Sequence, residues 1–147
     1  MKISVQYEDF DVDKELKALR SSTKVGALVT FIGTVRDIND SENVKSMTLE
    51  YYPGMTEKSI EKIVKTACER WNIEDVTVIH RVGKLQVTDQ IVLIGVSCLH
   101  RKEAFDACEY IIDFLKTEAP FWKQEELERG KRWVEAHMED EMCRNNW

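Results

Sequence analysis

The most regular hydrophobic pattern in this chain is helical and ends at a proline. Apolar residues recur at the spacing of one helix face at Ala104, Ala107, Cys108, Ile111, Ile112 and Leu115. Pro120 has no backbone N–H and clashes with the preceding turn, so the pattern predicts a helix that ends at or before Ala119. Lys116 therefore lies on the end of this helix, whereas Lys123 lies on a different local structure after a rigid corner.

The remaining apolar segments predict a mixture of strands and two further helices. Residues 25–31 and 47–51 alternate, residues 76–80 are rich in β-branched side chains, and residues 91–96 form the continuous apolar run of a strand covered on both faces. Residues 13–21 and 56–72 have helical spacing, with Thr56 as the predicted N-cap of the second helix. Because strands and about three helices mix without a regular βαβ rhythm, the pattern favours an α+β fold.

Polar stretches separate these elements. Residues 37–43 have no apolar period and are expected to form a mobile loop, and residues 132–136 are expected to add a final strand. The chain of 147 residues is expected to be a single domain over residues 1–147, with a polar tail at residues 136–147 that is a candidate for flexibility.

Composition excludes several classes of protein. Lys and Arg number 21 and Asp and Glu 27, so the net charge of −6 argues against general nucleic-acid binding. No apolar run approaches the ~20 residues of a membrane span, and the N-terminus lacks the apolar core of a signal peptide, which together favour a cytoplasmic protein. The four cysteines have no C-x-x-C spacing, and the three histidines are not spaced as ligands, so a zinc site is not expected.

The candidate functional residues are mostly cationic side chains. Lysine suits proton transfer and covalent catalysis because its pKa moves readily on burial, and two lysines on either side of a corner can converge on one pocket. His100 and Arg101 precede a helix, where an anion is favoured, and Arg36 follows a strand and a glycine. Residue type alone favours solvated surface cations at these positions, and the dipeptide at residues 80–81 is interpreted as structural or interfacial.

No dinucleotide, nucleoside-triphosphate or Ser/His/Asp motif is present. A series of short blocks instead resembles one enzyme family, in the order FIGTVR at 31–36, LEYYPGM at 49–55, HRVG at 80–83, SCLHRKEAF at 97–105, LK at 115–116, APFWKQE at 119–125 and WV at 133–134. In this order the blocks resemble the large, catalytic subunit of molybdopterin synthase over most of the chain.

The resemblance implies an α/β-hammerhead type of α+β fold with mixed and antiparallel sheets. It implies a homodimer in which each protomer binds a small ubiquitin-like sulfur-carrier subunit, giving a heterotetramer. The implied reaction transfers sulfur from the carrier's C-terminal thiocarboxylate to cyclic pyranopterin monophosphate and forms the dithiolene of molybdopterin. No metal and no cofactor is implied, because molybdenum would be inserted later by another protein.

By the same resemblance, Lys116 and Lys123 match the catalytic lysines of the family. The substrate-binding positions that the resemblance implies are Thr34, Val35, Arg36, His100, Arg101, Lys116, Lys123, Gln124 and Glu125. Lys116, at the boundary of an apolar helix face, is expected to have the depressed pKa and to transfer protons or bond transiently to the carrier's terminal carbonyl. A competing hypothesis is a non-catalytic module that binds a carrier tail or a phosphorylated small molecule and releases it unchanged.

Overall fold

The computed structural model describes residues 1–135 and 137–147, and its elements follow the hydrophobic pattern closely. Four helices lie within these residues: α1 Val12–Leu19, α2 Met55–Arg70, α3 Arg101–Glu118 and α4 Met138–Asn145. The strands are β1 Lys2–Gln6, β2 Ala27–Thr34, β3 Ile38–Asn39, β4 Glu42–Tyr51, β5 Ile73–Arg81, β6 Gly83–Gln86, β7 Gln90–Cys98, β8 Phe121–Leu127 and β9 Gly130–Val134. The expected α+β class, with mixed and antiparallel sheets, is confirmed.

The first sheet carries the main hydrophobic core. Its strand order is β1-β5-β7-β2, with β1 parallel to β5 and the other pairs antiparallel. Helices α2 and α3 pack together, and α3 lies against β2 and β7. The central strand β7 is buried along most of its length, because it has strands on both edges and α1 and α3 in contact with it. This accounts for the continuous apolar run that predicted it.

The second sheet is antiparallel and surrounds a smaller core. Its order is β3-β4-β8-β9, and β6 also pairs with the long strand β4. Four buried side chains fill the space beneath it: Val35, Leu49, Val82 and Leu85. The sharp corner at Pro120 takes the chain directly from the end of α3 in the first layer into β8 of this sheet. The two lysines are thereby assigned to two different layers of the fold.

The expectation of a mobile loop at residues 37–43 is wrong. This segment forms a β-hairpin, in which Asn39 pairs with Glu42 across a two-residue turn. Asp40 and Ser41 have φ values of 49° and 64°, the left-handed conformation that tight hairpin turns require. Asp and Asn tolerate this conformation better than most residues, so the polar composition marked a turn and not disorder.

The count of about three helices is also corrected, because the tail contains α4. No residue of α4 is buried, which explains why its apolar pattern was too weak to predict it. Three acidic residues in its first turn, Glu139, Asp140 and Glu141, suit the positive end of a helix dipole. Beyond this helix, Trp147 packs edge-on against Trp71 at 5.5 Å between ring centroids and holds the tail against α2 and α3.

Within the described residues, no helix is both long and apolar enough to cross a membrane.

Candidate active site

A cavity of about 400 Å³ opens where the two sheets meet the end of α3. Its walls come from both sheets, from the C-terminal half of α3, and from the start of α4. The polar residues that line it are Thr34, Arg36, Asn39, His80, Lys116, Lys123, Glu125, Glu135, His137 and Asp140. Mostly apolar residues of both sheets, of α3 and of the corner after it line the remainder, so charged groups face each other across a partly apolar space.

The Pro120 corner brings both lysines to this cavity. Helix α3 stops at Glu118, and Ala119 is already extended, with φ −81° and ψ 131°. The predicted end of the helix is confirmed, and its physical reason is the restriction that proline imposes on the residue before it. Lys116 reaches the cavity from the last turn of α3, and Lys123 reaches it from β8.

A buried threonine holds this corner in place. The Thr56 hydroxyl donates to the Pro120 carbonyl oxygen at 2.9 Å and accepts from the Tyr52 backbone N–H at 3.0 Å. Thr56 is fully buried and lies inside the first turn of α2, so its prediction as the N-cap is wrong and Gly54 takes that position. The hydroxyl is used instead to tie the start of α2 to the segment between the two lysines.

Lys123 is the lysine on which burial acts most strongly. Desolvation lowers its pKa below the ordinary lysine value, and the positive charge of Lys116 lowers this pKa further. The negative charges of Asp140 and Glu125 act in the opposite direction. The sequence predicted a depressed pKa for Lys116. In the structure, burial lowers the pKa of Lys123 instead. Lys116 itself is exposed at the mouth of the cavity.

Glu125 is buried, and its carboxylate is hydrogen-bonded to other side chains of the protein. Only 2% of it is exposed, and its carboxylate accepts two hydrogen bonds from the Asn39 amide, at 3.0 and 3.1 Å, and one from Arg132 Nε at 3.0 Å. Because the Asn39 nitrogen faces Glu125, its oxygen faces Arg36, whose guanidinium donates to it at 3.4 Å. Arg132 also forms an ion pair with Glu42. Glu125 therefore orients Arg36 through Asn39.

His80 is a residue of the cavity that sequence reasoning missed. It was interpreted as structural or interfacial, yet it lines the cavity wall, with its ring stacked on Phe121 at 3.8 Å between centroids. Burial lowers the pKa of His80 to about 4, and the positive charges of Lys123 and Lys116 contribute to this shift. The ring is therefore neutral at physiological pH. The sequence signal was its place at the end of a strand, in the HRVG block.

Two other sequence-predicted positions, Val35 and Gln124, do not contribute a side chain to the cavity. Val35 is 2% exposed and belongs to the small core under the second sheet. Gln124 does not line the cavity, because alternate residues of a strand point to opposite faces and its neighbours Lys123 and Glu125 point inward. Thr34, by contrast, does line it.

His100 and Arg101 lie far from the cavity in a single chain. They occupy the N-terminal end of α3, whereas Lys116 is in its last turn. At 1.5 Å per residue, about 22 Å of helix separates Arg101 from Lys116. The structure therefore brings together Thr34, Arg36, Lys116, Lys123 and Glu125, and leaves His100 and Arg101 outside.

The side chains of the cavity favour an anion and offer no cage for a metal. Three cationic side chains, Arg36, Lys116 and Lys123, share the lining with three carboxylates, of which Glu125 is already bonded to Asn39 and Arg132. Within residues 1–135 and 137–147, no group of three or more His, Cys, Asp or Glu side chains is arranged to hold a metal ion. The arrangement can bind a negatively charged ligand and stabilise negative charge that develops on it.

Comparison with known proteins gives consistent results over nearly the whole chain. A family profile described as MoaE protein matches residues 5–118. The molybdopterin synthase catalytic subunit of Ralstonia nicotianae is 55% identical over 99% of this chain and 83% of its own length. The subunit of the same name from Vibrio cholerae is 50% identical over 99% of this chain and 97% of its own length. The solved structure of the molybdopterin biosynthesis MoaE protein from Burkholderia ambifaria superimposes with a TM-score of 0.85 at 48% identity, covering 99% of this chain and 97% of that one.

Proposed function

The chain belongs to the MoaE family of molybdopterin synthase catalytic subunits, and we propose that it transfers sulfur to cyclic pyranopterin monophosphate. The sulfur donor is the C-terminal thiocarboxylate of a small ubiquitin-like carrier subunit, and the product is the dithiolene of molybdopterin. The observation that carries the proposal is the convergence of Lys116 and Lys123, from either side of Pro120, on one cavity that also contains Arg36.

The three cations have different tasks in this proposal. Arg36 neutralises the cyclic phosphate of the substrate and positions it, and the hydrogen bond to Asn39 limits the directions its guanidinium can take. Lys116 is exposed at the cavity mouth, where an incoming carrier tail arrives first. It holds the thiocarboxylate, and it is the lysine that bonds transiently to the carrier's terminal carbonyl if such a bond forms.

Lys123 lies deeper and stabilises charge during the transfer. A partly buried ammonium acts in a lower dielectric than an exposed one, so its attraction for a developing anion is stronger. Its lowered pKa also makes it the better of the two lysines for donating a proton to a leaving oxygen. This proposal moves proton transfer from Lys116, where the sequence predicted it, to Lys123, and leaves the transient bond to the carrier with Lys116.

The carrier is proposed to dock beside the cavity mouth. A shallower depression adjoins the cavity and shares Val134, Glu135 and His137 with it. Trp133 and Met138 line this depression and are 56% and 78% exposed. Exposed apolar side chains next to a cationic cavity suit a partner that inserts an anionic tail and rests its body alongside. A cytoplasmic location follows from this function as part of the proposal.

His100 and Arg101 can join the substrate site only from a second copy of the chain, because α3 separates them from the cavity of their own protomer. A homodimer that contributes them across its interface would complete the anion site. Mixing Arg101→Ala with Lys116→Ala tests this arrangement, since each single variant breaks every site in its own homodimer. Random pairing leaves one intact site in each mixed dimer, so about a quarter of wild-type activity is expected to return. No recovery after subunit exchange would exclude a shared site.

The proposed function is tested by conversion in vitro. Purified protein is mixed with cyclic pyranopterin monophosphate and thiocarboxylated carrier, and the product is oxidised to its fluorescent derivative. Wild type is expected to form product, and Lys116→Ala is not. Lys65→Ala is the matched control because Lys65 is exposed on α2, where it pairs with Glu61. Product formation by Lys116→Ala at the wild-type rate would remove the central role given to Lys116.

The same experiment separates catalysis from simple binding. If wild type binds the carrier and the pterin but returns both unchanged, the chain is the binding module of the competing hypothesis, and its lysines contribute only affinity.

A further inference from the structure

His80 has one polar atom that the protein does not use. Its Nδ1 lies 2.8 Å from the Arg81 carbonyl oxygen. A carbonyl oxygen only accepts hydrogen bonds, so Nδ1 carries the hydrogen of the neutral ring and Nε2 carries the lone pair. Among the described residues the ring makes no second hydrogen bond.

That free nitrogen faces the cavity. His80 is only 6% exposed, yet no buried side-chain nitrogen or oxygen in the described part of the chain lacks a hydrogen-bond partner. The unpaired Nε2 must therefore account for part of the small exposed surface of His80. Because His80 lines the cavity, this surface opens into it.

The ring cannot turn away from this position. Phe121 covers one face in a stacked arrangement with an interplanar angle of 17°, and the bond to Arg81 fixes the edge that points into the strand. His80 also pairs with Val92 in the centre of the first sheet. The acceptor is thus held rigidly in a predominantly apolar part of the cavity wall, where an unmet hydrogen bond is costly.

The charged neighbours keep the ring in this acceptor form. The ammonium groups of Lys123 on β8 and Lys116 on α3 both oppose protonation, and together with burial they lower the pKa of His80 to about 4. Between pH 6 and 8 the ring therefore remains a neutral acceptor. Neither lysine donates a hydrogen bond to Nε2 in the described structure, so the acceptor is left for a ligand.

We propose that His80 is a positioning residue whose Nε2 accepts a hydrogen bond from an N–H group of the bound pterin. This inference rests on the proposed function and deepens it. The cations select the anionic end of the substrate, and His80 selects a donor on its heterocycle, so the cavity discriminates pterin phosphates from simple anions. A ligand without the donor would leave a buried acceptor unpaired.

Two variants of His80 test the roles of its two ring nitrogen atoms separately. In His80→Asn, the side-chain amide can still donate to the Arg81 carbonyl oxygen, but nothing reaches the position of Nε2. In His80→Gln, the longer side chain places an oxygen near the position of Nε2. Ser97→Ala is the control, because it removes a buried side-chain hydrogen bond from the same sheet at the end remote from the cavity.

The readouts are the KM for cyclic pyranopterin monophosphate at saturating carrier and the inhibition constant of sulfate. Sulfate is an anion with no donor hydrogen, so it reports on the cations alone. We expect His80→Asn to raise KM about 10- to 100-fold, with sulfate inhibition and the KM for the carrier unchanged. His80→Gln should recover part of this loss, and Ser97→Ala should match wild type.

A folded His80→Asn whose KM stays within twofold of wild type overturns the proposal. So does an equal weakening of pterin and sulfate, which would indicate general distortion of the cavity. If this variant does not fold, ¹⁵N NMR of the wild-type imidazole decides the question. Adding the pterin is expected to move the Nε2 resonance while sulfate does not, and an unmoved resonance overturns the proposal. In each of these outcomes wild type still forms product. The proposed function, in contrast, fails only if wild type forms no product.

Discussion

Acid should destabilise this protein through His80, and the structure sets the size of the effect. The pKa of this imidazole falls from an ordinary value of 6.5 to about 4 in the folded chain, chiefly because burial disfavours the charged ring. Between these two values the unfolded chain binds a proton that the folded chain does not, so lowering the pH favours unfolding. Above pH 6.5 both states carry a neutral ring, and the contribution of His80 no longer depends on pH.

The magnitude follows from the linkage between protonation and folding. Each pH unit between the two pKa values is worth about 1.4 kcal/mol, so the loss of unfolding free energy due to His80 at pH 5 is about 2 kcal/mol relative to pH 7. The full loss approaches about 3 kcal/mol near pH 4. Carboxylates also lose their charge at such low pH, so the range from pH 7 to 5 isolates the histidine best.

Urea unfolding of wild type and His80→Asn at pH 7, 6 and 5 measures this effect. The variant has no ionisable group at residue 80, so its free energy of unfolding should fall less than that of wild type over this range, by about 2 kcal/mol. His80→Gln gives the same comparison if the first variant is too unstable to study. Equal losses in wild type and variant would refute the reasoning, as would NMR evidence that the folded ring titrates near pH 6.5.

Three further predictions concern the groups around the lysines. Glu125→Gln should lower the free energy of unfolding in urea titrations by about 2 kcal/mol, because the buried carboxylate is bonded to Arg132. Glu128 is exposed, so Glu128→Gln should lower it by less than about 0.5 kcal/mol. Equal losses in the two variants would contradict the buried pair. Thr56→Val should cost about 1–2 kcal/mol and also reduce product formation, since it releases the Pro120 corner; an unchanged melting temperature would rule this out. Product formation by wild type should slow as the pH rises through the lowered pKa of Lys123, because the neutral amine can no longer stabilise negative charge during the transfer. The rate of Lys123→Arg should not fall over that range because arginine stays charged; identical pH profiles would show that Lys123 is not the group that titrates.

Much of the local structure was predictable because it depends on short stretches of chain. The apolar period of α3 and the break at Pro120 together placed Lys116 on a helix end and Lys123 beyond a corner, as the structure shows. The continuous apolar run of β7 likewise predicted a strand covered on both faces. The errors occurred where the apolar signal was weak, as in the exposed helix α4 and the hairpin that begins at β3.

The resemblance to a known family provided the candidate residues, but it could not show how each one is used. The structure places Glu125 behind Asn39 as a support for Arg36, and it places Val35 in a small core. Both lie next to residues that do face the cavity, and whether a neighbour points in or out depends on the register of its strand. The catalytic and binding roles of the lysines and of Arg36 remain predictions for the experiments above.

The sequence by itself determined the strongly patterned elements, the corner between the lysines and the family, because periodicity, proline and ordered motifs are local properties of the chain. Only the tertiary structure decided which of those residues share a cavity. His80 meets Phe121 and Lys123 because β5 of one sheet faces β8 of the other, which is a contact between segments some forty residues apart. His100 and Arg101 are separated from Lys116 because an extended helix keeps its ends apart. Pairing of distant strands and the rigidity of helices set these distances. Neither can be predicted from a short stretch of sequence, because each depends on residues that lie far apart in the chain.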